Sequence, residues 1–237
     1  MLHSLIFDVD GTISDTEAVH LRAFNYAFAE CEIAAHWTVG RYTELLEISG
    51  GKERLSHYFT QKAISLTQDE IAKIHRTKNA IYAELVAGGA VEFRPGTGEL
   101  FEEARKARKK LAIATTTSSE NLSALMAANL GANWKSLFTV INDASTVANK
   151  KPSPEIYFKT LSELGLTHQE CIAFEDSYNG LVAASGAKIP TIITPTSFTQ
   201  HQDFSGAALV LPNLGGENEK SPRVNLQYLE GILAQSV

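Results

Sequence analysis

The sequence predicts an α/β fold: a doubly wound, Rossmann-like parallel sheet with an inserted all-α helical cap. Three observations predict it. An apolar run, Leu5-Ile6-Phe7, starts almost at Met1 and breaks at once into the Gly-containing loop Asp8-Val9-Asp10-Gly11-Thr12, as a buried parallel strand does. From about Thr16 to Gly88 helical stretches follow with no convincing strand, and from Phe93-Arg94-Pro95-Gly96 onward helices alternate with short apolar strands. The expected division is an α/β core of residues 1–15 and 92–237 and a helical cap of residues 16–91.

The elements follow in order. In the cap, Thr67-Gln-Asp-Glu70 opens a helix as a capping box. Ile71, Ile74, Ile81 and Leu85 then recur at helical spacing until Gly88-Gly89 stops it. In the core a helix over about 97–110 leads to a strand at Leu111–Thr115, then a helix over 118–130 and a strand at Phe138–Ile141. A helix from Pro154 to about Leu164, a strand at Cys171–Phe174 and a helix over 177–186 come next. Strands at Thr191–Thr194 and Ala208–Leu211 finish the sheet. Gly215 to Ser221 is polar and loop-like, and a last helix follows.

Composition narrows the class of function. The 237 residues are 44% hydrophobic and 20% charged, ordinary for a globular chain with one sizeable core plus a smaller insertion. The net charge of −6 argues against a nucleic-acid or membrane-surface binder, so an anionic substrate needs local positive charge. Cys31 and Cys171 lack partners at metal-like spacing and read as two buried thiols in a reducing compartment. No signal-like segment precedes the first strand and no apolar run approaches membrane-spanning length, so a cytoplasmic monomer without nucleic-acid or membrane partners is expected.

Ligands of such sheets bind at the carboxyl ends of the strands. The first end gives Asp8 and Asp10, two residues apart and therefore on one side of the strand. Carboxylates so placed repel unless a divalent cation, a proton or a chemical role separates them. As turn formers before Gly11 they need no chemistry; as nucleophile and acid/base they explain why the pair is there. The second end gives Thr115-Thr116-Thr117-Ser118, hydroxyls and amides entering a helix N-terminus, a natural phosphate site in which Thr117 or Ser118 can equally be the helix cap. The third gives Lys150-Lys151-Pro152 ahead of a helix, and the fourth Glu175-Asp176-Ser177. Carboxylates, hydroxyls and a lysine on one sheet edge make up a magnesium-dependent phosphoryl-transfer site.

At this point the chain resembles the haloacid-dehalogenase superfamily, through Asp8-Val-Asp-Gly-Thr12, Thr115, Lys151-Pro-x-Pro154 and Glu175-Asp176 in order. The resemblance implies that Asp8 is the nucleophile forming an aspartyl-phosphate. It implies that Asp10 is the general acid and then the base, and that Thr115, Thr116 and Lys151 hold the phosphoryl group. It also implies Mg²⁺ held by Asp8, the Asp10 carbonyl and Asp176, with Glu175 nearby.

The cap refines the substrate. Ser49-Gly50-Gly51-Lys52-Glu53-Arg54 offers backbone amides and positive charge, a second anion site or simply a helix start with solvated charges. Glu17, His20, Tyr42 and Ser118 are further candidates; Ser14 and Glu17 read as a capping box, and Glu17 and His20 share a helical face near the hinge. Arg41–Arg54, Ile74-His-Arg-Thr-Lys78, Ala114–Ser118 and Lys151–Tyr157 together resemble the CbbY family. That resemblance implies a phosphatase removing the 1-phosphate of xylulose 1,5-bisphosphate, a misfire product that inhibits Rubisco, with the second phosphate at Gly50, Gly51, Lys52 and Arg54.

Rival readings stay open. A β-phosphoglucomutase shares the scaffold and the Thr16/His20 hinge pair, and a phosphoglycolate phosphatase has less use for a second phosphate site. A dehalogenase fits poorly because Asp10 suits acid/base work on an ester oxygen. A binding regulator without chemistry is disfavoured by intact Asp8, Asp10, Lys151 and Asp176.

Overall fold

The computed structural model describes residues 1–216 and 222–235; Glu217–Ser221, the polar end of the expected loop, lie outside the described residues. Six parallel strands form one sheet in the order β3-β2-β1-β4-β5-β6: β1 Ser4–Phe7, β2 Lys110–Ala114, β3 Val140–Asn142, β4 Cys171–Glu175, β5 Thr191–Ile193 and β6 Leu209–Val210. The chain winds outward from β1 through β2 to β3, then returns to the other side of β1 for β4. That reversal makes the crevice between β1 and β4 the place where a doubly wound sheet binds its ligand.

Alternation along the strands sends side chains to two separate cores. Leu5, Phe7, Ile113 and Phe174 pack with α5 (Thr97–Lys106), α6 (Ser119–Leu130) and α9 (Leu226–Gln235) on one face. Ile6, Ala112 and Ala173 pack with α7 (Glu155–Leu164) and α8 (Tyr178–Gly186) on the other. Phe7 ties neighbouring strands on the first face, stacked on Phe174 at 4.4 Å with Phe101 edge-on at 5.0 Å.

Between β1 and α5 lie four helices: α1 Glu17–Glu30, α2 Val39–Leu45, α3 Gly51–Gln61 and α4 Gln68–Ala87. They bury an aromatic cluster of their own, in which Phe24, Phe28, Trp37, Tyr42 and Phe59 meet. The Thr67/Glu70 capping box opens α4 as the sequence predicts, and Gly88 ends it.

Three local expectations shift. The helix over 97–110 stops at Lys106 because Lys110 already pairs with Ser4 in the sheet. The strand expected from Phe138 begins at Val140, after a turn of 3₁₀ helix at Trp134–Leu137. The Ser14/Glu17 capping box does not form. Ser14 is held in bridges to Asp10 and Phe93, so α1 opens two residues later at Thr16, whose hydroxyl turns to Asp10 instead. Of the thiols, Cys171 is buried but Cys31 only partly so. Among the described residues no helix is long and apolar enough to cross a membrane.

Candidate active site

The ends of β1, β2 and β4 bring the predicted groups together. Asp8 continues the ladder of β1 through its amide, which donates to Phe174 O at 3.0 Å, and its carboxylate accepts from Lys151 Nζ at 2.7 Å. The same ammonium lies 2.5 Å from Glu175 Oε1, and the Tyr157 hydroxyl donates to that oxygen too. Asp8, Glu175 and Asp176 are buried, and each presents an oxygen within 4.8 Å of the others'.

Gly11 makes this crowding possible. It turns the chain at φ +84°, and a methyl group on it would lie 2.2 Å from Asp176 Oδ2. Arg94 fixes the same turn from behind, its guanidinium donating to the carbonyls of Gly11, Thr194, Pro195 and Pro212.

Charge in the cluster is unbalanced. Burial pushes the Asp8 carboxyl above its ordinary value even though Lys151 opposes it. Burial foremost, with Asp8 adding, carries Glu175 to about 7, and burial beside Asp8 and Glu175 holds Asp176 well above the usual carboxylate range. Burial alone would lower Lys151; Asp8 and Glu175 outweigh it and raise the ammonium to about 12. Three buried carboxylates around one lysine form an all-oxygen donor set that a hard divalent cation fits.

Asp10 sits differently. Burial would raise it, but His20, Thr16 and Lys78 outweigh burial and hold its carboxyl below the ordinary value. Thr16 Oγ1 donates at 2.7 Å, His20 Nε2 lies at 3.0 Å, and the Thr117 hydroxyl donates to the other oxygen. Thr117 is thus not the helix cap; Ser118 is, accepting from the Asn121 amide at 3.3 Å. Thr115 is buried, and Thr116 is half-buried in the wall.

The cap closes over these groups and leaves one cavity of about 820 Å³. Its cap wall includes Glu17, His20, Gly50, Gly51, Lys52 and Arg54. Tyr42 stands behind that wall, fully buried, its hydroxyl donating to Glu17 at 2.6 Å. Arg54 lies over the Tyr42 ring and donates to Leu45 O at 3.0 Å and Ile48 O at 3.2 Å, so it shapes the loop as well as facing the cavity. Among the described residues Lys52 has no hydrogen-bond or ion-pair partner.

Several groups at the site went unassigned in the sequence. Lys78 appeared only inside a motif, yet it is buried on α4, its ammonium 2.8 Å from His20 Nδ1 and over the rings of Phe24 and Tyr82. The available signal was a charge on the stripe of Ile71 and Ile74. Tyr157, Arg94, His75 and Asn179 carried no such signal.

Burial lowers the Lys78 pKa to about 7. The unfolded chain therefore holds more protons than the folded one between that value and the ordinary 10.5, so this group costs stability most at low pH and least at high pH. Lys78→Met is expected to raise the melting temperature at about pH 6, with the gain shrinking toward about pH 10. Thermal melts across that range check it, and a gain that grows with pH contradicts it.

Comparison with known proteins agrees with this geometry. The haloacid dehalogenase-like hydrolase family model matches residues 5–194. The plasmid-encoded CbbY protein of Cupriavidus necator is 48% identical over 227 residues, 94% of this chain and 89% of that one. A crystal structure of CbbY from Rhodobacter sphaeroides in complex with phosphate superposes with a TM-score of 0.90 at 40% identity, covering 97% of this chain and all of that one (100%). A second, of a mutant of that enzyme in complex with xylulose 1,5-bisphosphate, gives a TM-score of 0.87 at 40% identity, over 91% of this chain and 96% of that one. The chain therefore belongs to the haloacid dehalogenase-like hydrolase family, in its CbbY-like branch, and is an enzyme of the phosphatase type.

Proposed function

We propose that this enzyme is a magnesium-dependent sugar-bisphosphate phosphatase that removes the 1-phosphate of xylulose 1,5-bisphosphate through an aspartyl-phosphate on Asp8. The observation that carries the reading is that one cavity touches both Asp8 and Lys151 at its floor and Gly50, Gly51 and Lys52 at its cap wall. Two anion-binding ends in one cavity suit a small molecule with a phosphate at each end. The similarity to a CbbY protein whose structure contains xylulose 1,5-bisphosphate supports the same substrate.

The division of labour follows. Residues 1–15 and 92–237 are assigned as catalytic core and 16–91 as the specificity cap. An Asp8 oxygen attacks the phosphorus of the 1-phosphate as the bond from phosphorus to the sugar oxygen breaks, and Asp10 gives that oxygen its proton. Asp10 then takes a proton from the water that attacks phosphorus, which frees Asp8 and inorganic phosphate. Asp10 is held ionised, ready for the second half. An incoming phosphate dianion raises its pKa and loads the proton for the first. Thr115, Thr116 and Lys151 hold the transferring oxygens, while Ser118 lines the cavity beside them. Asp8, Asp176 and the Asp10 carbonyl would hold Mg²⁺, with Glu175 behind them and on Lys151. The ion supplies neutralisation of the charge that gathers on the phosphoryl oxygens. Glu17 and His20 line the sugar end, braced by Tyr42 and Lys78.

A panel of substrates tests this. With Mg²⁺ present, kcat/KM for phosphate release from xylulose 1,5-bisphosphate should exceed that from 2-phosphoglycolate or β-glucose 1-phosphate by at least about 100-fold. Comparable values across the panel would remove the bisphosphate reading.

A further inference from the structure

The cap loop that carries the second anion-binding end is gripped by the core at two points. Asn179, in the first turn of α8, donates its Nδ2 to Glu47 O at 2.9 Å and lies 3.2 Å from Ser49 Oγ. Lys150, the residue before Lys151, reaches across to Glu53 at 2.7 Å. Lys150 lines the cavity, whereas Glu53 is not among the residues that do. The pair is pressed against the turn of the loop: a methyl group on Gly50 would lie 2.2 Å from Glu53 Oε2 and 2.6 Å from Lys150 Nζ. Gly50 takes φ +96°, so its own geometry also favours glycine there.

Other cations lie beside the pair, Lys52 and Lys78 acting on His75 together with Lys150. Lys52 has no partner among the described residues. His75 packs under Gly51 and is held neutral, its pKa pushed down to about 3 by burial and by Lys78, Lys52 and Lys150. Glu53 is the carboxylate paired with Lys150. The Lys150 side chain is 22% exposed and that of Glu53 47%, and an ion pair so exposed is worth little. A phosphate dianion inside the cavity offers the same ammonium a stronger, charge-assisted hydrogen bond.

We propose that Lys150 is a specificity residue that leaves Glu53 to bind the remote phosphate of a bisphosphate substrate. This rests on the two-phosphate reading above. The remote subsite is then composite, with backbone amides and Lys52 from the cap and Lys150 from the core. A bisphosphate ties cap to core across it, and a monophosphate ester leaves Lys150 on Glu53.

Two variants test it, each read as the ratio of kcat/KM for xylulose 1,5-bisphosphate to kcat/KM for phenyl phosphate. Lys150→Met should lower the ratio at least about tenfold, mainly through KM for the bisphosphate. Glu53→Gln frees Lys150 and should leave the ratio unchanged or raise it. If Glu53→Gln lowers the ratio as far as Lys150→Met does, the pair is only a latch and the proposal fails. A wild-type enzyme that favours the bisphosphate while Lys150→Met keeps the full ratio also overturns it, and leaves the two-phosphate reading standing. A wild-type enzyme with no preference overturns both.

Discussion

Asp8→Asn is expected to lower phosphate release by about 10⁴-fold or more while the protein stays folded. An amide in place of the carboxylate offers no nucleophilic oxygen, and Thr115 and Lys151 then hold a phosphoryl group with nothing to receive it. The fold survives because Lys151 keeps Glu175 as a partner at 2.5 Å and because one of three crowded carboxylates has lost its charge. Steady-state phosphate release together with a thermal melt checks both halves. Retained turnover in a folded Asp8→Asn variant would sink the nucleophile assignment.

Asp10→Asn should act on both halves of the cycle. The carboxylate is ringed by Thr16, His20 and Thr117, and an amide can accept at only one of its two positions. Both proton transfers weaken, and the loss of a positioned acid/base is worth about 10²–10⁴-fold. The sugar alkoxide is a far poorer leaving group than the carboxylate of an aspartyl-phosphate, so the first half, which needs the proton most, should suffer most. Phosphate release should fall by that factor from xylulose 1,5-bisphosphate and by less from p-nitrophenyl phosphate, whose phenolate leaves without a proton, and equal losses contradict the acid role.

How far the sequence disclosed the site depends on which interactions are local. Asp8, Thr115 and Asp176 stand at strand ends and Lys151 just ahead of α7, and a strand end or helix start leaves a pattern in a few consecutive residues. The doubly wound order then puts those ends on one edge, so four short patterns suffice to assemble the floor. Thr67 and Glu70 were legible for the same reason, since a capping box closes within one turn. Ser14 and Glu17 show the limit: their spacing was right, but bridges from Ser14 to Asp10 and Phe93 took the backbone elsewhere.

Contacts between distant segments left no local trace. Tyr157 reads as one more apolar position of α7, and its bond to Glu175 exists only after β4 is in the sheet. Arg94 reads as a loop residue before Pro95, although it gathers carbonyls from three segments. Lys78 was the exception that could have been found, because a lysine on an apolar stripe asks for an explanation. Arg54 reads as a positive charge for an anion, whereas the folded cap spends part of its guanidinium on its own loop.

The most direct test is phosphorus NMR of the wild-type enzyme with Mg²⁺, given xylulose 1,5-bisphosphate in one sample and β-glucose 1-phosphate in another. The 1-phosphate signal of the bisphosphate should be replaced by inorganic phosphate while the 5-phosphate signal persists, with little change in the second sample. Conversion of β-glucose 1-phosphate to glucose 6-phosphate without free phosphate, and an untouched bisphosphate, would contradict it.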